Sequence, residues 1–88
     1  MIRRRVIVRG RVQGVFFRDS LRRLAEQRGV AGSAANREDG AVEAVFEGEP
    51  EAVEALVDLC RRGPSRARVD GVDVREEQPE GLQGFRIA

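Results

Sequence analysis

The sequence predicts an α+β fold with elements in the order β-α-β-β-α-β, and three observations carry that prediction. Val6, Ile7 and Val8 form a β-branched run bounded by arginines, the composition of a central strand. Two later segments, one after Phe17 and one after Pro50, place apolar residues at helical spacing instead. Between and after these, Ala41 to Glu47 and Val72 to Val74 alternate apolar and polar residues with the two-residue period of a strand. The 88 residues contain no linker and no internal repeat, so one domain spanning 1–88 is expected. A chain this short buries only somewhat more than ~60% of its unfolded surface. Two layers fit that limit, and a large internal cavity does not.

Each element has its own signal. The first strand is read over Arg5 to Arg9, with Arg3 to Arg5 as its solvated entrance. From Phe17 to about Arg28 the residues Phe17, Leu21, Leu24 and Ala25 fall on one helical face, Asp19 and Arg23 form an outward i,i+4 pair, and Gly29 supplies the stop. Val30 to Asn36 is a weaker strand because Ala and Ser replace bulkier residues, whereas Ala41 to Glu47 puts Val42, Ala44 and Phe46 on one side. Asp39-Gly40 between them is a hairpin turn signal. Pro50 suits the first position of a second helix, whose apolar face is Val53, Leu56, Val57 and Cys60 and which stops at Gly63-Pro64. Val72 and Val74 alternate while Val69 has the opposite parity, which predicts a bulge near Gly71. Phe85 and Ile87 allow a terminal strand.

This order is the split βαβ, or ferredoxin-like, arrangement: a four- to five-stranded antiparallel sheet with two helices on one face. In it the first two strands run parallel with another strand between them. Their carboxyl ends therefore lie on one edge of the sheet, ~10 Å apart at ~4.8 Å per strand.

Composition excludes several chemistries. Every one of the 16 basic residues is Arg and there is no His, which removes a Walker-type lysine, a Schiff base, an imidazole base and a triad. Cys60 is the single cysteine, so no intrachain disulfide or multi-cysteine metal site is possible, and it reads as a small apolar residue on a helix face. A net charge of +1 argues against bulk electrostatic capture of nucleic acid or anionic membrane. The opening Met1-Ile2-Arg3-Arg4-Arg5 precedes only three apolar residues, which predicts no signal peptide, and no run has membrane-spanning length. A soluble, cytoplasmic protein is expected.

The stretch from Arg9 to Asp19 joins the first strand to the first helix through a glycine-punctuated loop. Gly10 and Gly14 allow positive φ, so the chain between them can curl its N–H groups toward one point as an anion nest. A helix starting near Phe16 or Phe17 adds its free N–H groups and the positive end of its dipole. Arg18 then sits in the first helical turn, where a cation costs up to ~1 kcal/mol unless an anion is bound. A bare Gly-x-x-x-Gly is more often the mark of an ordinary strand-to-helix turn followed by a solvated arginine.

The longer string decides between them. Gly10-Arg11-Val12-Gln13-Gly14-Val15-Phe16-Phe17-Arg18 resembles the signature loop of the acylphosphatases, enzymes that hydrolyse the mixed anhydride of a carboxylic acid and phosphate. Gly32-Ser33-Ala34-Ala35-Asn36, with Asp39-Gly40-Ala41-Val42-Glu43 and Gly48, is similar to the family's second signature. Gly63 to Asp70 and the closing Gly84-Phe85-Arg86-Ile87 extend the likeness over essentially the whole chain. The resemblance implies a catalytic pair, Arg18 and Asn36, and a phosphate-binding loop of Arg11, Val12, Gln13, Gly14 and Val15. It also implies a small-molecule acyl phosphate as substrate, a monomer, and no metal or cofactor. Ser33 stands where the family usually carries an aromatic residue and Ala35 where it often carries a basic one. Arg37 either replaces part of that charge or is a solvated turn residue.

The chemistry fits so sparse a site. Phosphoryl transfer through a loose transition state needs positioning and charge stabilisation, and a carboxylate leaving group, whose conjugate acid has a pKa of about 4, departs without a proton donor. An alkyl phosphate would call for a metal or a general acid. The alternative is a non-catalytic ferredoxin-like anion-binding or regulatory module, such as an RNA-binding domain, or a regulatory or carbamoyl-phosphate-handling relative of the acylphosphatase domain like those that occur within larger proteins of the wider family. RNA readers of this architecture stack bases on strand aromatics, but the aromatics here are Phe16, Phe17, Phe46 and Phe85, none at the centre of the first strand. No nucleic-acid or membrane partner is expected, and a chain that begins and ends with this domain favours the free enzyme.

Overall fold

A computed structural model describes all residues, 1–88. The elements are β1 (Ile2–Arg11), α1 (Phe17–Arg28), β2 (Ala31–Asn36), β3 (Val42–Gly48), α2 (Pro50–Arg62), β4 (Arg68–Glu77) and β5 (Phe85–Ile87). They form one sheet in the order β4-β1-β3-β2-β5. β3 pairs antiparallel with both β1 and β2, so these two run parallel and end on the same edge, as the split βαβ order requires.

β5 departs from the all-antiparallel expectation, because it pairs parallel with β2 and makes the sheet mixed. The cause is the path of the chain. β4 runs back along β1 to place Glu77 beside Arg3, and residues 78–84 then cross that end of the sheet. The last strand consequently enters beside Gly32, at the start of β2, and follows its direction.

Alternation sets the two faces. Val6 and Val8 of β1 and Val42, Ala44 and Phe46 of β3 point toward the helices, where they pack with Phe17, Leu21 and Ala25 of α1 and Val53, Leu56, Val57 and Cys60 of α2. Phe85 stacks on Phe46 at 6.0 Å between ring centroids, which fastens β5 to this core. Cys60 is fully buried, and burial pushes its thiol up to about 12, so it is a packing residue and not a nucleophile. No helix is long and apolar enough to cross a membrane.

β1 begins earlier than Arg5, and Arg3 is not part of a solvated entrance. It is 5% exposed, because the register sets it opposite Glu47 of β3. Its Nη1 donates to Glu47 Oε2 at 2.6 Å and its Nε to Glu77 Oε1 at 2.7 Å. Glu47 also accepts the backbone N–H groups of Glu80, Gly81 and Leu82, so one carboxylate ties the crossing segment to the sheet. Burial pushes that carboxyl up, but the Glu80 N–H, Arg3 and the remaining N–H donors outweigh it and hold it below its ordinary value.

The predicted bulge lies beside Gly71. Arg9 pairs with Gly71 and Gly10 with Val69, leaving Asp70 as the extra residue. Gly10 has φ 131, and a Cβ there would fall 2.2 Å from the Arg68 carbonyl oxygen. Gly10 therefore serves the close approach of β1 and β4 at the bulge. The loop proper begins after Arg11.

Candidate active site

Residues 12–16 connect β1 to α1. Val12 and Val15 anchor this loop, with side chains buried in the core, while Gly14 (φ 73) and Phe16 (φ 62, ψ 26) adopt left-handed backbone. Two such residues two positions apart curl the segment between its anchors. A Cβ on Gly14 would meet nothing within 4 Å, so it is the backbone conformation and not crowding that calls for glycine there.

Phe16 is the N-cap of α1 and has no side chain that can cap it. The first helical hydrogen bond runs from the Ser20 N–H to the Phe16 carbonyl at 3.0 Å. The N–H groups of Phe17, Arg18 and Asp19 precede it and have no intrahelical acceptor. Together with the dipole they make an electropositive end. Asp19, the one acidic residue of this turn, is paired outward with Arg22 at 2.6 Å and Arg23 at 2.9 Å.

Arg18 is half-buried, and its Nη1 donates to the Ala88 carbonyl oxygen at 2.8 Å. The Ala88 N–H in turn donates to the Ala34 carbonyl at 3.0 Å, two residues before Asn36 on β2. A short backbone bridge thus links the guanidinium to the strand that ends in the asparagine. One of the five donors of the fork is used in this way, and the other four remain available.

A second link runs through Gln13. Its Nε2 donates to the carbonyl oxygens of Arg37 at 2.8 Å and Ala41 at 3.0 Å, the two residues that close the β2–β3 turn through the Arg37 N–H to the Ala41 carbonyl. The loop and the turn are thereby held as one piece. Val12, Gly14, Arg18 and Asn36 line a single cleft of about 390 Å³, with Phe16, Phe17, Asp19 and Ile87 as the rest of its wall.

Of the residues singled out in the sequence, these four therefore come together. The other three flank the cleft: Arg11 closes β1 opposite Arg68, Gln13 turns its side chain to the hairpin, and Val15 turns its own into the core. Sequence reasoning did not find the roles of the Gln13 side chain or of Ala88. For Gln13 the available signal was an uncharged polar side chain between Val12 and Gly14; for Ala88 there was none, since only its backbone takes part. Ser33 and Ala35 sit opposite Val45 and Glu43 on the sheet face away from the helices, and neither lines the cleft. Arg37 is paired with Asp39 at 3.2 Å and Glu43 at 3.1 Å, so its charge is absorbed within the hairpin.

This geometry has known counterparts, since the family model named Acylphosphatase matches residues 4–87. The chain belongs to the acylphosphatase family. It is 58% identical to an acylphosphatase of Rubrobacter xylanophilus over 94% of this chain and 76% of that one. An acylphosphatase of Roseiflexus sp. is 56% identical over 99% of this chain and 95% of its own. Among solved structures, the acylphosphatase from Bacillus subtilis superposes with a TM-score of 0.95 at 38% identity, covering 100% of this chain and 99% of that one. The fold and family implied by the two signature strings hold across the chain. The alternative of a non-catalytic ferredoxin-like anion-binding or regulatory module is set aside in favour of acylphosphatase hydrolysis of acyl phosphates.

Proposed function

We propose that the cleft between the 12–16 loop and Asn36 hydrolyses acyl phosphates by in-line attack of water, with Arg18 and Asn36 as the catalytic residues. The observation that supports this most directly is that Arg18 and Asn36, 18 positions apart, line one cleft with the glycine loop. In this reading the N–H groups of Arg11 to Val15 and of the first turn of α1 cradle the phosphoryl oxygens. The free donors of Arg18 hold them as a planar fork and neutralise charge that shifts as the reaction proceeds. The Asn36 amide orients the water opposite the carboxylate. The water oxygen bonds to phosphorus, the bond from phosphorus to the acyl oxygen breaks with its electron pair leaving on the carboxylate, and the water's proton passes to a phosphoryl oxygen. No side-chain acid is required, because the leaving group is already a weak base.

One chain supplies every group named, which supports a monomer working as one domain over residues 1–88. We assign the enzyme to the cytoplasm, a compartment that suits a fold built without a disulfide. The test is hydrolysis of benzoyl phosphate with a chelator present, comparing wild type with Arg18→Ala and Asn36→Ala after checking that each variant is folded. Each substitution is expected to lower turnover at least ~10²-fold, the cost of removing one preorganised donor to a developing charge. Near-normal turnover in either variant refutes the role given to that residue.

A further inference from the structure

Phe16 is an expensive choice for its position. It is 71% exposed and is the one non-glycine residue of the chain with positive φ. It also occupies the N-cap of α1 and contributes no capping hydrogen bond. An asparagine would be better on exposure and on backbone, since it is polar and tolerates left-handed φ. Phosphate binding by the loop uses backbone N–H groups and gives no reason for an aromatic ring.

The ring's location supplies a reason. The exposed large apolar residues are Met1, Phe16, Leu82 and Ile87, and two of the four, Phe16 and Ile87, line the same cleft as Arg18 and Asn36. Phe16 also borders a neighbouring cleft of about 350 Å³, so it stands as a ridge at the mouth of the site. A phosphoryl group seated in the nest must direct its acyl group out through that mouth. Of the cations nearby, Arg22 and Arg23 pair with Asp19, Arg18 is assigned to the phosphate, and Arg66 borders the neighbouring cleft but not the one that holds Asn36.

We propose that Phe16 and Ile87 form the wall against which the acyl group of the substrate packs, and that they make the enzyme selective for uncharged, apolar or aromatic acyl phosphates. This inference rests on the phosphate-site reading above and adds the specificity of its leaving-group side. A flat acyl group lies against the Phe16 face, a contact that small acyl groups make poorly.

The experiment measures kcat/KM for benzoyl phosphate and for acetyl phosphate in wild type, Phe16→Asn and Phe16→Tyr. Wild type is expected to favour benzoyl phosphate. The Asn variant should lose that preference, with the benzoyl-to-acetyl ratio falling about two- to twelvefold, the size of one favourable aromatic pair, and the Tyr variant should retain it. A ratio that is unchanged in Phe16→Asn, or losses equal for both substrates, overturns the proposal. Failure of the underlying reading is separately visible, because it would appear as Arg18→Ala turning over both substrates at the wild-type rate.

Discussion

Replacing Gln13 with Ala tests whether the loop and the asparagine act as one unit. Gln13 donates two hydrogen bonds, to the carbonyls of Arg37 and Ala41. Both carbonyls keep a second donor when it is removed, because Arg37 also accepts the Gly40 N–H at 3.2 Å and Ala41 the Arg37 N–H at 2.8 Å. The substitution therefore forfeits two net hydrogen bonds without stranding an acceptor, at roughly 0.5–1.5 kcal/mol each, or about 1–3 kcal/mol of stability. That leaves a folded protein, since small domains retain about 5–15 kcal/mol. The larger effect should be on the reaction, because a shift of ~1 Å in a positioned group can cost ~10² in rate. With benzoyl phosphate, kcat is expected to fall about ten- to a hundredfold while KM changes little, as Arg18 keeps its own tether to Ala88. A double-mutant cycle reads the coupling: if Gln13 works by holding the Asn36 strand end, Gln13→Ala should cost almost nothing further in an Asn36→Ala background. Equal losses in both backgrounds, or an unchanged kcat in the single variant, would refute the reasoning.

Two further predictions concern the opposite end of the sheet. Glu47→Ala removes the acceptor of Arg3 and of three backbone N–H groups, and breaking such a buried pair should cost ~3–5 kcal/mol. At ~4 °C or more per kcal/mol for a domain of this size, thermal unfolding should show a midpoint depressed by at least ~12 °C, with turnover retained in the cold. Arg5 and then Arg3 lower the Glu77 carboxyl from 4.5 to about 2. A carboxylate whose folded value is depressed contributes stability above its unfolded value and loses it as pH falls through the folded one. Denaturant titrations should therefore show stability dropping between pH 4.5 and about 2, and Glu77→Gln should flatten that slope; an identical slope in the variant would remove Glu77 as its source.

What was legible in the sequence was what a single segment determines. The period of Phe17, Leu21 and Ala25 and the stop at Gly29 located α1, and the valine parities on either side of Gly71 located the bulge. The meeting of Arg18 and Asn36 was also legible, because it follows from the split βαβ order once the strands are placed. What was not legible depends on partners distant in the chain. Arg3 looks solvated until the β1–β3 register sets Glu47 opposite it and residues 80–82 close over the pair. β5 has three residues, too few for any pattern to encode direction, and its parallel pairing follows from where the crossing segment delivers it. The contacts of Gln13 and Ala88 involve backbone carbonyls, which carry no residue identity to read.

The unfavourable local choices of this chain are concentrated at one place. An aromatic in left-handed backbone costs ~1–3 kcal/mol, an uncapped helix start ~1 kcal/mol, and a cation in the first helical turn up to ~1 kcal/mol; Phe16 and Arg18 bring all three to the same turn. A bound phosphate relieves two of these directly, since it accepts the free N–H groups and neutralises Arg18. It does nothing for Phe16, whose ring remains exposed and whose backbone remains strained whether or not an anion is present. A site selected only to hold phosphate would carry a residue such as Asn there. The residual cost at Phe16 therefore points to the part of the substrate that is not phosphate, and the direction of that cost, toward a large flat apolar surface at the mouth of the cleft, points to the chemical character of the acyl group.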